Sequence, residues 1–349
     1  FNTIIFLPMS SSNRPEAWSW HLLGLIAPGV ILYGNLTGGV WTLAGVILLL
    51  VVYPILDLAS GVARPARPPR TRAGPLDAIP YLHVMLQLAV ITALLWRVQQ
   101  DGNAWTTWAA TLSSGINTGT SAIVVAHELG HSRPLTLRWW LARFNLLTAL
   151  YLHFTMEHNR HHHPAVATAA DPASAPRDRA FWRHLTRSVP GQFASAWQIS
   201  NNSGRRGPAN SVLHGLLVKA TLVALLWLAL SWWCALAIIV QAVVAVFLLE
   251  YVNYIQHYGL YRSPNQPVSE QHAWQSEARW SRWTLLELPL HPAHHLEPSL
   301  KFWQLKPSAD APTLPAGYYA LFWPCLFPSL WRRWIDPVLP PDPLITETT

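Results

Sequence analysis

Six apolar stretches punctuate the chain, at 21–36, 40–58, 79–97, 105–126, 212–230 and 232–251, and the polar residues gather between them in a few blocks. About 20 apolar residues suffice to cross a bilayer as a helix, so each stretch reads as a membrane span. The first is broken by Gly24, Pro28 and Gly29, and the second carries one charge, Asp57. The links at 35–39 and 230–232 are so short that they predict helical hairpins. No internal repeat is visible. The predicted fold is an all-α integral membrane protein with six transmembrane helices. It forms a single domain over 1–349, with a cytoplasmic histidine-rich cap made of segments 127–211 and 252–349.

Charge sets the orientation. The loop GVARPARPPRTR carries Arg64, Arg67, Arg70 and Arg72, and basic loops remain on the cytoplasmic side. Counting spans from there brings both long polar blocks to the cytoplasmic face. The opposite face keeps short links with Arg97 as its conspicuous basic residue. The expected location is the plasma (inner) membrane, crossed several times. Met9 is read as a candidate start, and no signal peptide with a small-residue cleavage site is visible. The tail 336–349 is Pro-rich and reads as irregular.

Composition agrees with a membrane protein. Of the 349 residues, 51% are hydrophobic and 12% charged, against about 25% charged in soluble domains. The 20 tryptophans suit a chain with much interfacial surface. A net charge of +7 fits loops facing anionic lipid, and no nucleic-acid partner is expected. Cys234 and Cys325 lie in apolar surroundings and give neither a disulfide framework nor a thiolate metal site.

Histidine is the outlier, with 16 residues, most of them clustered. His127-Glu-Leu-Gly-His131 ends the fourth span, and its i, i+4 imidazoles share a helical face that one metal can bridge. In soluble proteins that pattern reads as a zinc protease motif, a reading weakened here by the membrane span and the other clusters. Glu157-His-Asn-Arg-His-His-His163 follows. On an α-helix His158 and His162 share a face, and His163 is turned about 100° from His162, toward a second metal. His257 ends the sixth span, in NYIQHYG. His291-Pro-Ala-His294-His295 repeats the i, i+3, i+4 spacing. Nine candidate ligands result: His127, His131, His158, His162, His163, His257, His291, His294 and His295. Nine imidazoles at one membrane face exceed the needs of one ion and suggest two. Imidazole suits zinc, copper, iron and nickel, so ligand type alone does not select the metal.

These boxes, HxxxH, HxxxHH and HxxHH, resemble those of the membrane fatty acid desaturase and hydroxylase superfamily. NYIQHYGL at 253–260, VATAADPASA at 166–175 and YPILD at 53–57 resemble its membrane-bound alkane monooxygenase branch. So do His272-Ala-Trp274, LPAGYYA at 314–320 and LWRRWIDP at 330–337. The resemblance implies two non-haem iron ions held by the nine histidines. It implies O2 as cosubstrate and electrons from NAD(P)H through a reductase and a rubredoxin-type or ferredoxin-type donor. It implies hydroxylation of a hydrophobic substrate from the lipid phase, most simply the terminal carbon of an alkane. Glu128, Glu157 and Asp171 match acidic positions near the boxes and are expected to support the ligands. His161 occupies a place that is often glycine in the family and is not expected to bind metal.

The last box departs from the family's usual LQRHxDHH, reading LPLHPAHH at 288–295. Pro289 and Pro292 fall where a helix interior would not accept them. Other readings remain open at this point: an acyl-chain desaturase or hydroxylase, an aromatic-methyl hydroxylase, and, outside enzymes, a membrane metal carrier.

Overall fold

The computed structural model describes residues 15–63 and 68–341. Met9, Arg64, Arg67 and the tail beyond 341 lie outside the described residues. Helices dominate, and among the described residues extended pairing is confined to two isolated bridges, Val62 with Ala278 and Gln275 with Thr313.

Among the described residues, five helices are long and apolar enough to cross a membrane: α1 (Trp18–Thr37), α2 (Gly39–Ala59), α3 (Gly74–Asp101), then two later ones, Ser211–Ala229 and Trp232–His257. The first link is reduced to Gly38, whose φ of 78° turns the chain, and the later pair is joined by Leu230 and Ser231. Both hairpins therefore form as the short links predict. The third and last helices run past the expected ends, to Asp101 and His257.

The remaining expected span is a helix of a different kind. α4 runs over Trp105–Asn117, passes through a π-helical turn at Thr118–Ala122 and continues over Ile123–Gly130. It is too polar to count as a membrane span by composition. The reason is its central position: it is covered by neighbouring helices rather than by lipid. Asn35 donates to Ser114 Oγ at 3.0 Å, Asn117 to Gln87 Oε1 at 2.8 Å, Gln87 to Thr118 Oγ1 at 2.9 Å and Thr118 to Gln241 Oε1 at 2.8 Å. A polar side chain away from lipid is tolerable when it finds a partner on another helix. Glycine allows the close approach: a Cβ on Gly115 would lie 2.7 Å from the Gln241 carbonyl oxygen.

Beyond α4 the chain forms α5 (Leu137–Thr148) and then α6, which is a short α-turn Phe154–Glu157, a π-helical turn His158–His162 and a last turn His163–Ala165. α7 (Phe181–Asn202), α8 (Ser211–Ala229) and α9 (Trp232–His257) follow. Four short helices complete the described cap: α10 (Arg279–Thr284), α11 (His291–Leu296), α12 (Phe322–Leu326) and α13 (Pro328–Ile335).

Two anchors hold the ends together. Arg97 of α3 donates to the carbonyls of Asn35 and Leu36 at 2.8 and 2.9 Å and pairs with Asp101 at 3.1 Å, so it closes the orphan carbonyls at the end of α1. Asp57, the one charge of the second span, is buried and accepts hydrogen bonds from Ser281 N and Oγ (3.1 and 2.9 Å), Tyr319 N (3.1 Å) and Ala320 N (3.2 Å). YPILD thus meets LPAGYYA, and the C-terminal cap is tied to α2.

Candidate metal centre

Of the three π-helical turns among the described residues, Thr118–Ala122 precedes the first histidine box and His158–His162 lies within the second, whereas Leu48–Val52 belongs to α2. The turn at Thr118–Ala122 lies just before His127. A Cβ on Gly130 would sit 2.5 Å from Thr155 Cγ2, so this glycine lets α6 pack against the HELGH segment. Asn159 Nδ2 donates to the Gly130 carbonyl at 3.0 Å and locks the two boxes together.

All nine expected histidines converge. His127, His131, His158, His163 and His294 form one group, and His162, His257, His291 and His295 form another. Within each, the ligand-type atoms lie within 4.8 Å of one another. The groups adjoin, since the His163 and His295 rings are 4.6 Å apart, centroid to centroid. His161 stands outside both, with Nε2 3.0 Å from the Ala170 carbonyl oxygen.

One expected pairing is corrected. An α-helix would place His158 with His162, but the π-helical turn adds a residue to the repeat and brings His158 opposite His163, Nε2 to Nε2 at 3.0 Å. His162 is thereby handed to the other group. The last box divides similarly: His291 and His295 face each other at 3.0 Å, while His294 turns to the first group. The prolines do no harm there, because α11 begins at His291. Pro292 lies in its first turn and Pro289 precedes it.

The surrounding residues orient the rings. Asp171 Oδ2 accepts from His162 Nδ1 at 2.9 Å and is itself held by Ser174 Oγ and Ala173 N. The His272 carbonyl accepts from His257 Nδ1 at 3.3 Å, and Trp274 fixes that strand of chain by donating to the Tyr258 carbonyl at 2.8 Å. In each ring Nε2 is left to face its group. The three expected carboxylates differ. Burial pushes Glu157, outside the spans, up to about 8. Burial also acts on Asp171, but the neighbouring His162 outweighs it and holds the carboxyl at about 2. Asp171 is therefore the charged partner, whereas Glu128 leans on Arg138 at 3.5 Å and contacts none of the nine rings by hydrogen bond.

Sequence reading missed Glu250. It is fully buried in α9, accepts from Gln192 at 2.7 Å and lies 3.6 Å from His184. A lone acidic residue inside an apolar span was the signal that could have found it. It also missed Glu287, which pairs with His21 at 2.9 Å and with Arg282. Leu286 and Glu287 both have left-handed φ, 51° and 55°, so this pairing secures a strained turn just before the last box.

Buried imidazoles suit a borderline cation. The Nε2 atoms of His127, His131 and His294 are buried and have no hydrogen-bond partner, and three further pairs of Nε2 atoms face each other at 3.0–3.2 Å. A proton can serve only one nitrogen of each such pair, whereas a metal ion can accept both. The donor set therefore fits two ions side by side.

On the apolar side, a cavity touches His127, His158 and His291 and is otherwise lined by residues such as Ile123, Leu249, Val252 and Leu288. A second apolar cavity, between Leu49, Leu248, Tyr318 and Phe322, shares Gly119, Val124, Val252 and Leu288 with it. The two cavities adjoin across these shared side chains, and the first of them reaches the rings.

A helical membrane protein with two adjoining histidine clusters at the head of an apolar path is the class this fold and site define. Residues 103–325 match the fatty acid desaturase family model. The chain is 30% identical to alkane 1-monooxygenase 1 of Alcanivorax borkumensis, over 93% of this chain and 84% of the relative. It is 30% identical to alkane 1-monooxygenase of Ectopseudomonas oleovorans, over 74% of this chain and 67% of the relative. It is 28% identical to the xylene/toluene monooxygenase hydroxylase component of Pseudomonas putida, over 61% and 59%. The chain belongs to the membrane alkane monooxygenase family, within the fatty acid desaturase family.

Proposed function

We propose that this chain is an alkane 1-monooxygenase: it inserts one oxygen atom of O2 into the terminal C–H bond of an alkane at a centre of two iron ions. The observation that carries the reading is the meeting of two histidine groups with one apolar path. Iron bound there would supply O2 activation and hydrogen abstraction from an unactivated carbon. The protein supplies the rest. His127, His131, His158, His163 and His294 hold one ion, and His162, His257, His291 and His295 hold the other. Asp171 and the His272 carbonyl orient His162 and His257, and Asp171 offsets part of the metal charge. Leu249, Val252 and Leu288 line the cavity beside His127, His158 and His291, where they exclude water and receive the apolar chain.

α4 is the sixth membrane span in this reading, shielded from lipid by its neighbours. The cap and its histidines face the cytoplasm of a plasma-membrane protein. Electrons come from NAD(P)H through a reductase and a rubredoxin-type or ferredoxin-type donor. The family's membership of an aromatic-methyl hydroxylase component keeps xylene as the second substrate to offer. The deciding experiment supplies octane, palmitate and xylene in parallel to the reconstituted chain with O2 and reductant. Octan-1-ol as main product supports the reading; mid-chain products, benzylic products alone, or iron uptake without any turnover would overturn it.

A further inference from the structure

A large cleft lies apart from the apolar cavities, between α5, α6 and α8. Its cations are Arg143, Arg160, Arg205 and Lys219, with His153 and His214 beside them, and no carboxylate lines it. Among the described residues none of the four cations forms an ion pair. Arg160 and Arg205 reach only the hydroxyls of Ser203 and Ser211, and Arg143 lies over the Trp139 ring at 4.8 Å. His153 is buried to 8% exposure, and both its ring nitrogens lack a partner.

Lys219 is the telling residue. It lies eight residues into the apolar helix Ser211–Ala229, about 12 Å along the axis at 1.5 Å per residue. A cation at that depth is costly unless it faces a polar cavity or an anion, and the cleft supplies no carboxylate to pair with it. Next to it the cleft turns apolar, along Trp140, Phe144, Leu147 and Val218, and Trp140 and Val218 are exposed. A soluble acidic protein does not reach a lysine within a membrane span. A molecule with an anionic head and an apolar tail fits both halves.

We propose that this cleft binds an anionic membrane phospholipid, its phosphate among Lys219, Arg143 and Arg160 and one acyl chain along Trp140, Phe144 and Val218. The site is separate from the reaction and does not depend on the substrate. It ties the outside of the histidine boxes to the surrounding leaflet.

Native mass spectrometry of the detergent-purified full chain tests this, with phosphatidylglycerol, phosphatidylcholine or inorganic phosphate added. We expect one retained phosphatidylglycerol per chain and, for Lys219→Gln with Arg143→Gln, about tenfold weaker retention at unchanged metal content. Arg160→Gln, at the exposed rim, should give a smaller loss and serves if the double variant fails to fold. Equal retention of phosphatidylcholine would overturn the proposal. So would displacement of the lipid by inorganic phosphate, undiminished retention in both variants, or a dimer that disappears in them and carries no lipid.

Discussion

His158 and His163 are five residues apart, yet their Nε2 atoms face each other at 3.0 Å. The π-helical turn between them does this, and such turns are frequent at functional sites. His161, between them, is left outside both groups. His163→Ala should therefore lose metal and turnover together, while His161→Gly should keep both within about twofold of the parent rate, since its one contact is a loop carbonyl. Iron content and turnover measured on the two purified variants decide; the opposite pattern would refute the assignment.

Asp171 acts through His162 and not on the substrate. Asp171→Asn keeps a hydrogen-bond acceptor but removes the charge, so affinity at the four-histidine group should fall roughly 10–100-fold. Titration with a chelator should then remove half of the metal early and leave half behind. Uniform release of both ions would show that the carboxylate is structural only.

Val252 and Leu288 line both apolar cavities, so a larger side chain at either should divide the path. Val252→Phe is expected to retain turnover of a short alkane and lose that of a long one. Gas chromatography across a series of chain lengths reads the result, and an unchanged series would remove these cavities from the substrate route.

Asp57→Ala would strand the amides of Ser281, Tyr319 and Ala320. Unsatisfied buried donors cost about 1–3 kcal/mol each, so a loss on the order of 3 kcal/mol is expected after local relaxation. Thermal inactivation in detergent should occur several degrees lower. Parent-like resistance to heat would mean that the C-terminal cap is held elsewhere.

Ser203 and Asn265 are exposed, on the two polar blocks, and both native cysteines are buried. Ser203→Cys and Asn265→Cys should label from the cytoplasmic side only, over a low background. Labelling of either from outside intact cells would reverse the proposed topology.

Much of this was legible because it rests on local periods. The hairpins at Gly38 and at Leu230–Ser231 follow from apolar runs separated by very short breaks, and the nine histidines from motifs of fixed spacing. What was hidden depends on a change of period or on distant partners. The pairing of His158 with His163 needs the π-helical turn, and no residue of HNRHH announces one. α4 carries Ser114, Asn117 and Thr118 inside a bundle, a cost visible in sequence whose compensation by Asn35, Gln87 and Gln241 is not. The role of Asp57 likewise required residues more than 200 positions away to be brought to it.

The interlocking of the two histidine groups bears on biosynthesis. His294, from the last box, completes the first group, and His162, from the second box, belongs to the other. A nascent chain ending near residue 250 would thus own four ligands of one group and a single ligand of its neighbour. Neither group is complete before the ribosome has passed His295, so the proposed centre can close only late in synthesis, and premature termination should yield an inserted but metal-poor protein.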